Sequence, residues 1–225
     1  MSQKKSPPSV RSIEKYYLAK PKSGQGRGVL VLHAWWGLNA FIKGFCDHLA
    51  KEGFVALAPD LYHGAVASTI EQAKKLRSKL KKDVVAKEIT QAAEHLCTFG
   101  GTSKRGIGVI GFSLGGYWAL WLADQESSPI AATVAFYASR NSDYAASQSA
   151  FQFHLAETDD YVAASGVKKL EKSLNAAGRE SEFYSYAGTT HWFFESDRAD
   201  AYNAEAAELA WRRTVEFLKN HIRET

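Results

Sequence analysis

From Val29 onward, short apolar runs alternate with longer segments in which apolar residues recur every three or four positions. The short runs are typical of buried strands, and the longer segments are typical of amphipathic helices. Strands that alternate with helices form βαβ units, which build a parallel sheet. The pattern therefore predicts an α/β fold with a mostly parallel central sheet and helices on both faces.

The predicted elements follow each other closely, without a linker or repeat between them. A first strand, over 13–18, is expected to pair at the edge of the sheet by hairpin geometry. The other predicted strands are 27–33, 54–58, 106–111, 130–136, 151–155 and 182–186, and the predicted helices are 40–52, 69–80, 84–96, 114–124, 163–177 and 201–222. The runs VLVLH, IGVIG and AATVAF are apolar at nearly every position, which is typical of central strands covered on both faces. We expect a flexible tail over 1–12 and a single domain over 13–225.

One serine, Ser113, stands between glycines where a predicted strand gives way to a predicted helix. Residues 111–115 (GFSLG) match G-x-S-x-G, the sharp strand-to-helix turn that exposes a serine nucleophile in α/β-hydrolases. Glycines let the two backbones approach closely. The N–H groups that open a helix favour an adjacent anion, so the backbone N–H of Leu114 is a candidate oxyanion donor.

A serine hydroxyl needs a base that takes its proton and an acid that orients the base. In this fold the chain order is serine, acid, histidine, and Asp159 and His191 each follow a predicted strand in that order. Asp160 is the main rival for the acid and Asp143 a weaker one, while His33 could line the site. The loop after the first central strand is expected to supply the second oxyanion donor, the backbone N–H of Trp35.

Composition narrows the function classes. The 225 residues are 45% hydrophobic, enough for one substantial core, and no apolar run approaches the roughly 18 residues of a membrane helix. The net charge of +4 comes largely from the basic stretch 74–82 and the N-terminal segment, and a solvated helix face is the expected reading of that stretch rather than a nucleic-acid surface. Two cysteines without a C-x-x-C pair favour a reducing cytoplasm. The G-x-G-x-x-G at 106–111 lies within a predicted strand rather than after it, so no nucleotide cofactor is expected. The sequence has no His-Glu-x-x-His or comparable cluster, so no metal is expected either.

The stretches HAWWGLN, GFVALAPDLY, GVIGFSLGG, ETDDYV and YAGTTHWF together resemble the dienelactone hydrolase family of α/β-hydrolases, over roughly residues 29–218. The resemblance implies a nucleophile at Ser113, an acid at Asp159, a base at His191 and oxyanion amides at Trp35 and Leu114.

Three positions depart from the pattern of the best-known family members. They carry a cysteine at the nucleophile, a glutamate at the position of Ala34, and an arginine at the position of Glu195 that is associated with a substrate carboxylate. The first two differences agree, because a serine needs direct help from a base rather than a carboxylate that releases a latent thiol.

The sequence thus predicts a cytoplasmic, cofactor-free serine hydrolase of small esters or lactones, a monomer or small homo-oligomer that binds neither membrane nor nucleic acid. Trp36, Tyr137, Trp192 and Phe193 are expected to contribute to the substrate pocket, or else to cap the core. A pocket lined by these aromatic side chains would favour an acyl or leaving group that is apolar or aromatic rather than highly charged. The alternatives are a thioesterase or peptidase with the same triad, or a non-catalytic binding module. Movement of residues 62–69 as a lid stays an open question.

Overall fold

The computed structural model describes residues 15–99 and 106–222. In this part of the chain seven strands form one sheet in the order β1-β3-β2-β4-β5-β6-β7. They are β1 Tyr16–Ala19, β2 Arg27–Leu32, β3 Phe54–Pro59, β4 Ile107–Phe112, β5 Ile130–Phe136, β6 Ala150–Ala156 and β7 Ser181–Tyr186. Strand β1 is antiparallel to β3, and the other neighbouring pairs are parallel. The predicted α/β fold and its mostly parallel sheet are confirmed.

Within the described ranges, six helices cover the two faces of the sheet. They are α1 Ala40–Lys51, α2 Ile70–Ser78, α3 Lys82–Leu96, α4 Leu114–Ala123, α5 Ala164–Ala176 and α6 Ala204–His221. One hydrophobic core joins α1 and α6 to the strand residues of one face, including Val29 and Val31. A second joins α3, α4 and α5 to the other face, including Leu30 and Leu32. Because successive side chains of a strand point to opposite faces, a continuous apolar run such as VLVLH serves both cores.

Two sequence predictions need correction. The edge strand begins at Tyr16 and pairs with β3, not as a hairpin with β2, because both edges of β2 are already paired with β3 and β4. The last helix begins at Ala204 rather than 201, because the side chain of Asn203 caps it by accepting the N–H of Ala206 over 3.0 Å. The predicted tail over 1–12 lies outside the described residues.

The parallel strands all end at one edge of the sheet, which gathers residues that are distant in sequence. Within the described ranges, no helix is both long and apolar enough to cross a bilayer.

Candidate active site

Ser113 occupies a strained turn between β4 and α4. Its φ of 51° and ψ of −108° are unusual for a residue other than glycine, and its N–H donates to the carbonyl of Phe136 over 3.0 Å. A Cβ added at Gly111 would overlap the backbone of Gly115, and one added at Gly115 would overlap the carbonyl of Leu32. The two glycines therefore let α4 begin directly against the sheet, with the serine at the corner.

The structure brings Ser113, His191 and Asp159 together. Nε2 of His191 lies 2.9 Å from Oγ of Ser113, and Nδ1 lies 2.9 and 2.8 Å from the two carboxylate oxygens of Asp159. When Nδ1 carries the proton it donates to the carboxylate, and Nε2 is left to accept the proton of the serine hydroxyl. The imidazole and the carboxylate are both shielded, with side chains 4% and 9% exposed. The three groups can act as nucleophile, base and orienting acid.

The local turn explains why Asp159, and not its neighbour, faces the histidine. Oδ1 of Asp159 accepts the N–H groups of Tyr161 and Val162 over 2.8 and 2.9 Å, which fixes the carboxylate at the end of β6. Asp160 is exposed. Asp143 is exposed as well and bonds the N–H of Ala145, so neither rival belongs to the cluster.

The backbone N–H groups of Trp35 and Leu114 are the two predicted oxyanion donors. Leu114 is the first residue of α4, and Trp35 lies in the loop after β2. Neither N–H has an acceptor among the protein atoms of the described residues. Both amides are thus unbonded donors, and both residues border the cavity above Ser113.

A cavity of about 570 Å³ contains the serine and the histidine. Its other lining residues are Trp35, Arg77, Leu80, Lys82, Leu114, Tyr117, Trp118, Tyr137, Ala138, Ser139, Tyr161 and Val162. A groove of similar size, between α1 and α6, contains no member of the triad. Among the described residues, no group of three or more His, Cys, Asp or Glu side chains is placed to hold a metal ion.

Several lining residues were not anticipated from the sequence. Arg77 lies in α2, and Leu80 and Lys82 lie in and just after the segment that joins α2 to α3. The basic stretch 74–82 was the available signal, and it was interpreted as a solvated helix face. Only the fold places the end of this stretch at the mouth of the cavity.

Three of the expected pocket aromatics do not line this cavity: Trp36, Trp192 and Phe193 are 2%, 7% and 0% exposed and belong to the hydrophobic core. Trp36 and Trp192 pack against each other with ring centroids 5.2 Å apart. These three residues take the second of their two expected roles, because a loop next to the site also has an inner side, which here faces the core. Tyr137 and Trp35 do line the cavity.

His33 does not contact the cavity. Its ring is buried, with Nδ1 2.7 Å from the carbonyl of Ala34 and Nε2 accepting the N–H of Leu61 over 3.2 Å. Burial lowers the pKa of the imidazole, so it stays neutral. His33 joins the ends of β2 and β3 rather than binding a ligand.

Glu195, at the position where the family arginine was expected, is buried beside the triad. Its Oε1 accepts the hydroxyl of Tyr137 over 2.7 Å. Burial raises the pKa of this carboxyl to about 8, and the hydrogen bond from Tyr137 opposes that shift. The pKa of Tyr137 is raised well above its ordinary value, mainly by burial and secondly by the charge of the nearby Glu195. The sequence singled out the position of Glu195 but did not indicate that Tyr137 is its hydrogen-bond partner.

Comparison with known proteins gives a consistent result. The family model described as "Dienelactone hydrolase family" matches residues 15–222. "Protein usf" of Aquifex pyrophilus is 35% identical over 215 residues, covering 92% of this chain and 93% of that protein. A "putative carboxymethylenebutenolidase" of Aquifex aeolicus is 32% identical, with 92% and 93% covered. Among solved structures, a dienelactone hydrolase-like promiscuous phosphotriesterase from metagenomic libraries superposes with a TM-score of 0.80 at 21% identity, covering 90% of this chain and 89% of that one.

Proposed function

Because this chain belongs to the dienelactone hydrolase family, we propose that it hydrolyses small carboxylic esters or lactones with Ser113 as nucleophile, His191 as base and Asp159 as orienting acid. The observation that carries the proposal is the 2.9 Å separation of His191 Nε2 from Ser113 Oγ while Nδ1 is held by Asp159. A weakly acidic hydroxyl becomes nucleophilic when an oriented base takes its proton during attack.

In the proposed reaction, Oγ of Ser113 attacks the ester carbonyl carbon as its proton passes to Nε2 of His191. The negative charge that develops on the carbonyl oxygen is stabilised by the backbone N–H groups of Trp35 and Leu114. Collapse of the tetrahedral intermediate breaks the bond to the alkoxy oxygen, which takes the proton from His191 and leaves as the alcohol. In a lactone, this alcohol stays attached to the acyl group.

The acyl-enzyme is then hydrolysed by the same groups. Water gives a proton to Nε2 of His191 as it attacks the acyl carbon. The second intermediate then breaks its bond to Oγ of Ser113, which takes the proton from His191, and the carboxylic acid is released. Asp159 keeps its charge throughout and stabilises the imidazolium that forms twice in the cycle. No redox step is involved, and water is the second reactant.

The surroundings of the triad support a small substrate with a charged group. The cavity is about 570 Å³, within the usual range for small-molecule sites. Arg77 and Lys82 border it and supply positive charge at its mouth, while Trp35 and Trp118 give it apolar walls. We therefore propose that preferred substrates carry a carboxylate or another anionic group. The name carboxymethylenebutenolidase, carried by the Aquifex aeolicus relative, is consistent with a lactone substrate.

A fluorophosphonate probe tests the proposed nucleophile. We expect covalent labelling at Ser113 in the native protein, with the labelled peptide identified by mass spectrometry. Ser113→Ala should lose labelling and at least about 1,000-fold of the ester hydrolysis rate. Ser139→Ala is the matched control, since Ser139 lines the same cavity and has no histidine partner among its side-chain bonds. Labelling of that variant at Ser113 should persist.

A folded native protein that the probe does not label, or Ser113→Ala with native hydrolysis, would exclude the proposed mechanism. A panel of matched ester, thioester and peptide substrates separates ester hydrolysis from the thioesterase and peptidase alternatives. The ester or lactone should give the highest kcat/KM, and a clear preference for the thioester or peptide would overturn the proposed substrate class.

A further inference from the structure

We propose, building on the proposed function, that Glu195 and Tyr137 form a positioning pair that holds the imidazole of His191 against the hydroxyl of Ser113. Tyr137 directly follows β5, and Glu195 lies in the loop that carries His191. The hydroxyl of Tyr137 donates to Oε1 of Glu195 over 2.7 Å, and the two residues are 0% and 1% exposed. This hydrogen bond joins the end of β5 to the loop of the base.

Each end of the pair is fixed by backbone hydrogen bonds. The N–H of Glu195 donates to the carbonyl of Trp192 over 2.9 Å, within the turn that begins next to His191. The N–H of Tyr137 donates to the carbonyl of His154 in β6 over 2.7 Å. The residue before Tyr137, Phe136, accepts the N–H of Ser113. The pair therefore links the loop of the base to the strand end that anchors the nucleophile.

The ring of Tyr137 also contacts the base directly. Its centroid lies 4.8 Å from that of the His191 ring, with the two planes at 56°. Tyr161 contacts the same imidazole at 4.8 Å, but it is 48% exposed, whereas Tyr137 is fully buried. Of these two tyrosines, Tyr137 is the one that protein packing and a hydrogen bond hold in place. A shift of the phenol would change the position of the imidazole.

Placing this pair in the core costs free energy. Tyr137 has a φ of 37°, which is strained for a residue with a side chain. Glu195 is a buried carboxyl, and among the described residues no cationic side chain lies within ion-pair distance of it. The nearby Arg198 stacks on the ring of Trp36 at 4.2 Å and faces Asp197 instead. Such costs are commonly tolerated where geometry serves function.

Kinetics of single and double variants test the pair. Tyr137→Phe keeps the ring and removes the hydroxyl, and Glu195→Leu removes the acceptor. Each should lower kcat roughly tenfold while KM stays within about twofold, because substrate contacts remain and alignment is lost. If the two residues act only through their shared hydrogen bond, the double variant should be no slower than the slower single variant. Glu195→Gln keeps an acceptor oxygen and should restore most of the rate.

Tyr144→Phe is the matched control. Tyr144 is also fully buried and donates one hydrogen bond, to the carbonyl of Arg140 over 2.9 Å, but it does not line the cavity. Its variant should keep the native kcat. If Glu195→Leu fails to fold, a comparison of kcat between Tyr137→Phe and Glu195→Gln decides the question. Tyr137→Phe should have a lowered kcat, and Glu195→Gln should not.

A native kcat in Tyr137→Phe, or rate losses that multiply in the double variant, would overturn the positioning pair. The fluorophosphonate reaction separates this failure from failure of the proposed function. If the native protein is labelled at Ser113 and the Tyr137→Phe variant has the kcat of the native protein, only the positioning inference is wrong. If the native protein is not labelled, the triad proposal itself is wrong.

Discussion

Asp159 and Asp160 are adjacent carboxylates with different surroundings. The Asp159 side chain is 9% exposed and bonds both a pair of backbone N–H groups and His191, whereas Asp160 is exposed. Asp159→Asn should lower kcat roughly 1,000- to 10,000-fold, because an amide cannot hold the imidazole in the required tautomer or stabilise its charged form. Asp160→Asn should leave kcat within about twofold. Ester hydrolysis by the two purified variants checks this, and equal losses would contradict the assignment of the acid.

The two cations at the cavity mouth make a second residue-level prediction. Arg77 and Lys82 are exposed, so their attraction for an anionic substrate is moderate and is screened by salt. Changing both to Gln should lower kcat/KM for a carboxylate-bearing ester by roughly tenfold and leave a neutral ester of the same size nearly unaffected. In the native protein, added salt should reduce the preference for the anionic ester.

Lys51→Gln and Lys74→Gln together serve as the control for net charge, since these exposed lysines do not line the cavity. If this control pair changes the anionic preference as much as the Arg77 and Lys82 pair does, the local contribution of the cavity mouth is refuted.

The triad and the cavity walls differ in how far the sequence predicted them. Ser113, Asp159 and His191 could be located because each follows a strand, and parallel strands end at one edge of the sheet whatever the details of packing. Arg77 and Lys82 could not, because the end of α2 and the start of α3 reach the cavity only through long-range packing that periodicity does not encode. The sequence left both the pocket and the core open for Trp192, and the structure turns its ring into the core although its neighbour His191 faces the cavity.

At the scale of elements, the junction of β4 and α4 should tolerate the least change. Gly115→Ala would place a Cβ in the carbonyl of Leu32, so the helix must move away from the sheet. We expect a loss of about 4 kcal/mol or more in the free energy of unfolding, or no soluble protein. The helical Gly44 has open space around its Cβ position, and Gly44→Ala should instead stabilise the protein by about 0.5–1 kcal/mol. Urea denaturation compares the two, and similar effects from both would contradict the close approach.

The sequence predicted which segments form strands and helices better than it predicted which strands pair. The runs of β2, β4 and β5 are apolar at nearly every position, which identifies central strands, and they occupy the three middle positions of the sheet. The partner of β1 was wrongly predicted, because a short strand carries no signal that separates a hairpin with β2 from pairing with β3. That choice depends on which edge of the sheet is still free.

At the scale of the whole molecule, two buried groups give the stability opposite dependences on pH. Burial lowers the pKa of His154 to about 3, so the unfolded chain takes up a proton below about pH 6.5 that the folded protein does not. This contribution to stability is present above pH 6.5 and is lost as the pH falls towards 3. Glu195 acts in the other direction, because its pKa is raised to about 8 in the folded protein.

Glu195→Gln isolates the alkaline side of this dependence. Below about pH 4.5, the carboxyl is protonated in both states and its contribution is fully present; as the pH rises to 8, the unfolded chain loses the proton while the folded protein retains it. The free energy of unfolding of the native protein should therefore fall by up to about 1.4 kcal/mol per pH unit in this range from this group alone. The Gln variant lacks the titration, so its stability relative to the native protein should increase steadily between pH 5 and 8. Below pH 6, both proteins should lose the same free energy of unfolding, because the lowered pKa of His154 is common to both. Urea denaturation at pH 5, 6.5 and 8 measures the difference, and parallel stability curves would mean that Glu195 is ionised in the folded protein throughout this range.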